Sequence, residues 1–177
     1  MLTVRMNDRA VSLLGAIGHG AAVPGGEPTP ALRARLAGGL VVRDGAVVLA
    51  ETARRSVGPA EAARGDLTGW ECGVNSFHLE DYVDVPVGRL DEGGPVVEVS
   101  AQRELLLQGL GLAREVCALG RNAVPPIPLR CIVSAGPSNA VFRFHRVRAG
   151  ERWHHPDLDA YREEHLVVVE WGPLAEP

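Results

Sequence analysis

Lysine is missing from this sequence: all 18 basic residues among its 177 are arginine. Arginine cannot be deprotonated or form a Schiff base, so aldimine chemistry, pyridoxal phosphate chemistry, the phosphate-loop lysine and the kinase lysine are all excluded. Isoleucine occurs only three times against an abundance of Ala, Gly, Val and Pro, the coding habit of a GC-rich genome. Cysteine is scarce too. Cys72, Cys117 and Cys131 form an odd set with no Cys-x-x-Cys pair, which points to reduced thiols and not to a disulfide framework or a zinc knuckle. No apolar run reaches the roughly 18 residues of a membrane span, and the N-terminus lacks the charged, apolar and small-residue order of a secretory signal. The expectation is a cytoplasmic protein with no membrane partner. Excess basic charge is lacking as well: the formal net charge is −4, which argues against nucleic acid as a partner.

What is present is ordinary globular composition, 46% hydrophobic and 23% charged, at a length that suits one domain with its own core. A helical pattern from Asp8 to Ile17 runs into a Gly- and Pro-rich loop, Gly18 to Pro30, and a short helix from Ala31 to Ala37 follows. Asp44-Gly45 between the apolar runs of Leu40 to Leu49 is the best hairpin signal in the chain. A weak helical pattern lies around Pro59 to Arg64. From Phe77 to Val87 apolar and polar residues alternate, which predicts a half-buried strand carrying His78, Glu80, Tyr82 and Asp84 on its polar face, with same-face neighbours about 7 Å apart.

Ser100 is a good N-cap for a long helix ending at Gly120, whose small polar stripe implies that most of it is buried. Gly109 and Gly111 each cost that helix roughly 1 kcal/mol of propensity, so the close approach of a sheet or a ligand to the helix backbone, or plain close packing, is expected there. Leu129 to Ala135, Ala140 to Arg148 and Leu166 to Trp171 read as three strands, the first two joined by a tight turn at 136–139. The order of elements gives an α+β fold: a mostly antiparallel sheet packed on one long buried helix, in a single domain.

Several clusters are candidates for chemistry. His78 with Glu80, Tyr82 or Asp84 can form a general acid/base set, because imidazole titrates near neutrality and a carboxylate orients it; a plain solvated strand face is the alternative. His154, His155, Asp157 and Asp159 on one loop, with His145 or His165, carry metal-ligand chemistry but no recognised ligand motif, so no metal is assigned. Cys72 is a nucleophile only if a base such as His78 reaches it, while Cys117 and Cys131 fall in core elements. The glycines between Gly15 and Gly26 lack the lysine of a phosphate loop and the preceding strand of a dinucleotide fingerprint, and no cofactor is implied. Arg143 and His145 share a strand face and suit an anionic substrate group, or Arg143, Arg146 and Arg148 pair with Glu163, Glu164 or Glu170.

From Leu40 to Trp171 the element order resembles the hot-dog fold of acyl-thioester dehydratases and thioesterases, in which a sheet wraps a long helix. The resemblance implies a homodimer, an acyl-thioester substrate or acyl carrier protein as partner, and a histidine paired with a helix carboxylate, here His78 with Glu104 or with Glu98. The segments Cys131 to Ala135 and Phe142 to Arg146 also resemble uncharacterised actinobacterial proteins associated with polyketide gene clusters. Two functions therefore stand. One is dehydration, isomerisation or hydrolysis of an acyl thioester; the other is a non-catalytic binding protein, an immunity or accessory protein, that recognises a protein partner. A deep apolar pocket at His78 would favour the first, and a patch around Trp153 and Tyr161 the second.

Overall fold

A computed structural model describes residues 1–15, 25–55 and 65–172. The helical pattern around Pro59 to Arg64, the residues 16–24 and the C-terminal residues 173–177 lie outside the described residues. The fold is α+β, as the element order implied. Five antiparallel strands form the main sheet in the order β1 (Leu2–Met6), β9 (His165–Trp171), β7 (Leu129–Ala135), β8 (Ala140–Arg146) and β4 (Phe77–His78). Across one face lies α5 (Val99–Asn122), whose Leu105, Leu106, Leu110, Leu112, Ala113, Val116 and Cys117 are buried. The period-2 geometry of the strands sends Cys131, Val133, Phe142, Phe144, Val167 and Val169 to that same core.

The two helix glycines mark close approaches. A Cβ at Gly109 would collide with Val133 of β7 and with Leu79, and one at Gly111 would collide with the carbonyl of Gly26. The segment around Gly26 runs along the helix, its N–H donating to the Leu107 carbonyl (2.9 Å). Helix α1 (Asp8–Leu14) is capped by Asn7, and α2 (Pro30–Leu36) by Thr29 with Pro30 at its first turn. The hairpin β2 (Leu40–Arg43) and β3 (Ala46–Leu49) turns as the sequence reading proposed, with positive φ at Asp44 (51°) and Gly45 (82°). It is followed by α3 (Ala50–Arg55) and α4 (Leu67–Val74), and a second small hairpin pairs β5 (Val87–Arg89) with β6 (Pro95–Val97).

Three expectations need correction. The strand expected from Phe77 to Val87 stops at His78, and a 3-10 turn at Leu79–Asp81 replaces it. Leu79 and Val83, both buried, are four apart and so satisfy a helical turn as well as a strand; the Leu79 carbonyl accepts from both Tyr82 and Val83 N–H (3.0 Å each). The long helix begins at Val99 with Glu98, not Ser100, in the capping position, and Glu98 makes no side-chain cap bond. The strand expected from Ala140 to Arg148 ends at Arg146. The first strand, β1, went unread although Leu2, Val4 and Met6 alternate; all three face the helix side in register with β9.

Candidate functional site

His78 ends β4 on the sheet face opposite α5, in register with Val141. Its Nδ1 lies 3.2 Å from Glu80, whose other oxygen accepts from Ala140 N–H (3.0 Å), and half of its side chain is exposed to solvent. Tyr82 does not join it. The turn carries the Tyr82 ring back onto Phe77 at 5.4 Å, where Arg35 stacks on both rings and donates to the Tyr82 hydroxyl (3.1 Å). Glu104 is exposed on α5 and accepts from Gln108 (2.8 Å), and Glu98 is exposed at the helix start. Among the described residues, the carboxylate His78 contacts is therefore Glu80, and neither Glu104 nor Glu98 bonds to it.

Cys72 is buried on α4 against Ile132, Leu158, Leu166 and Val168, and burial pushes its thiol up to about 12. Such a thiol is not a nucleophile at neutral pH. Cys117 and Cys131 face each other across the helix–sheet core with sulfurs 3.9 Å apart; burial also raises the Cys131 thiol well above the ordinary range. The loop residues are used structurally. His154 donates from Nδ1 to the His155 carbonyl (2.7 Å) and accepts at Nε2 from Arg5 (3.3 Å), Asp157 N–H donates to His155 Nδ1 (3.1 Å), and Asp159 accepts from Asp8 N–H (2.7 Å).

The arginines of the β8 region part company. Arg148 forms a fork on the fully buried Glu71 of α4 (2.6 and 2.8 Å), and Glu170 pairs with Arg130 of β7 (2.7 Å), neither being the strand pairing expected from the sequence. Arg143 does share a face with His145. His145 is fully buried, donates from Nδ1 to the Arg146 carbonyl (2.7 Å), and is pushed down in pKa by burial. The Arg143 side chain makes no hydrogen bond or ion pair with any described residue and instead lines a cavity.

That cavity, about 100 Å³, sits on the sheet face opposite α5, over a floor of Ile132 and Leu166. Its walls are Ser134, Arg143, Trp153, His154, Tyr161 and Glu164. The strand alternation that sends Cys131 and Val133 to the core sends Ser134 and Arg143 here. The loop after β8 returns Trp153, His154 and Tyr161 over them. Asn7 fixes the far rim: its Nδ2 donates to the Glu164 carbonyl (2.8 Å) and the Tyr161 carbonyl (3.3 Å), and its Oδ1 accepts from Leu166 N–H (3.0 Å). Tyr161 accepts His155 N–H at its hydroxyl (2.9 Å), which leaves its phenolic proton without an acceptor among the described residues. His154, 3% exposed, is held down to about 4 by burial and by the nearby Arg130 and Arg5, so it is neutral at pH 7. The side chains of Ser134 and Glu164 have no hydrogen-bond partner among the described residues, and Trp153 is 44% exposed at the mouth.

Sequence reasoning named Trp153 and Tyr161 as a patch, Arg143 as an anion contact and Glu164 only as a possible mate for it. Ser134 was missed. Within Leu129–Ala135 the only polar residues are Arg130 and Ser134, both on the non-helix face, and that parity was the available signal. A second cavity, about 230 Å³, is lined by Arg35, Glu51, Thr52, Arg55 and Val74; neither cavity includes His78. No helix among the described residues is long and apolar enough to cross a membrane.

No curated protein and no solved structure matches the chain. A family model does match residues 25–173, a span that holds every wall of the Arg143 cavity and every strand of the main sheet except β1, and the chain belongs to the Uncharacterized protein PM0498 family.

Proposed function

We propose that this chain is a binding protein whose recognition site is the cavity between Arg143, Ser134, Glu164 and the Trp153–Tyr161 rim. The observation that carries this reading is the uncommitted state of the polar walls. A guanidinium, a carboxylate and a hydroxyl converge on one small space without bonding to each other or to any other described residue, while the surrounding polar groups, Asn7, His154 and Arg130, hold internal partners. Ligand sites commonly combine a few convergent polar groups with an aromatic rim, and Trp and Arg are the residue types that dominate recognition surfaces.

Incorporation of 5-fluorotryptophan tests it, because the chain has three tryptophans, Trp70, Trp153 and Trp171, that report separately. Titration with small-molecule and protein fractions of the source organism is expected to move the Trp153 resonance in the wild type and not in Arg143→Gln. Movement confined to Trp70 or Trp171 would overturn the assignment.

A second reading has one observation in its favour: an exposed His78 ring oriented by Glu80 at 3.2 Å. In that reading the protein is a cytosolic, homodimeric enzyme of polyketide-type metabolism that acts on an acyl thioester, delivered free or on an acyl carrier protein, with His78 as base. Turnover of a panel of acyl pantetheine thioesters by the wild type, lost in His78→Ala, is the expected result; no turnover of any chain length would sink it.

A further inference from the structure

The Arg143 cavity is lined by two opposite charges that form no ion pair with each other. With His154 neutral, its charged groups are the Arg143 guanidinium and the Glu164 carboxylate, both lining the space and neither ion-paired with a described residue. An anion alone would meet Arg143 but face Glu164, and a cation alone would meet Glu164 but face Arg143. Each pays a like-charge penalty that a ligand carrying both signs avoids. Donors outnumber acceptors on the walls: the Arg143 fork, the free Tyr161 proton and the rotatable Ser134 hydroxyl suit a carboxylate, and the Glu164 oxygens suit an ammonium.

Size narrows the class further. About 100 Å³ is far below the several hundred Å³ of sites that swallow a drug-sized ligand. Only a head group fits, and anything larger leaves past Trp153, whose half-exposed ring stands at the mouth. We infer that the cavity binds the α-ammonium and α-carboxylate of a free amino acid, with the carboxylate on Arg143, Ser134 and Tyr161, the ammonium on Glu164, and the side chain directed outward along Trp153. The inference rests on the cavity being the recognition site and adds the ligand class.

The test uses the whole chain, labelled with nitrogen-15, titrated with each of the twenty L-amino acids and with methylamine, ethylamine, acetate and propionate as single-charge controls. At least one amino acid is expected to shift the Trp153 indole and the Ser134 and Leu166 amides saturably, and every single-charge probe to bind about ten-fold more weakly or worse. Arg143→Gln and Glu164→Gln are each expected to weaken the amino acid by about ten-fold or more, with the remaining spectrum unchanged as proof of folding. Binding of acetate as well as any amino acid, with Glu164→Gln silent, would overturn the inference in favour of an anion pocket, and the mirror result with amines would overturn it in favour of a cation pocket. In both cases the cavity resonances still move and the recognition site stands. No shift with any probe also overturns the inference, and the fluorotryptophan titration then decides whether the site itself survives.

Discussion

Glu71 concentrates more hydrogen bonds than any other carboxylate described, and it does so with no solvent exposure. Oε1 accepts from Val47 N–H (2.7 Å) and Arg148 (2.6 Å); Oε2 accepts from Arg146 N–H (2.8 Å) and Arg148 (2.8 Å). The charge is tolerated because every lone pair has a donor and the partner guanidinium is itself anchored by the Gly45 carbonyl (3.1 Å). Glu71→Ala would strand a largely buried Arg148 and two backbone N–H groups, and is expected to lower stability by about 3–5 kcal/mol in a urea titration. A loss under about 1 kcal/mol would mean that water replaces the carboxylate. None of this was legible in the sequence. Glu71 and Arg148 are 77 residues apart, and nothing in local pattern links a helix residue to a residue just past a strand.

At the scale of elements, the readable parts were those with one dominant signal. The Asp44-Gly45 turn demanded positive φ at both positions and received it, and α5 was long enough for its apolar face to be unambiguous. The segment after His78 was misread because its apolar residues fit two periods, and the choice depended on Leu79 packing against Gly109, which lies thirty positions away. Gly109 itself was readable as a site of close approach, though not the identity of what approached. Gly109→Ala tests the account. Helix propensity alone predicts a gain of about 1 kcal/mol, whereas the collision with Val133 and Leu79 predicts a net loss of about 1–3 kcal/mol. Equilibrium unfolding of the variant gives the sign directly. The cavity was legible in pieces: its aromatic rim and Arg143 could be named, but which carboxylate and which hydroxyl joined them depended on how the loop after β8 folds back.

For the whole molecule, two buried histidines on the polar side of the sheet contribute to the response to acid. Burial lowers both His145 and His154, the latter to about 4; both feel Arg130, and His154 also feels Arg5. In the unfolded chain each imidazole takes up its proton near pH 6.5. Between that value and the folded one the unfolded state binds more protons, so this contribution to stability is complete above about pH 6.5 and declines as the pH falls towards 4. The expected result is a melting temperature that drops between pH 7 and pH 4.5, and a shallower drop in His154→Gln. Equal slopes for the two proteins would show that protonation of other groups governs the decline.

Helix α4 has a role beyond its own fold. Asn75 sits one turn after Glu71 and donates to the Val47 carbonyl (2.8 Å) while accepting from Leu49 N–H (3.3 Å), so with Glu71 on Val47 N–H the two side chains occupy three outward-pointing groups of β3. The helix thereby impersonates a third strand. A two-stranded ribbon with the apolar sequence Ala46–Leu49 along its rim would ordinarily be a template on which a further chain could add. Here Val47 N–H and C=O and Leu49 N–H are already taken from within, so this rim offers a further strand few free partners.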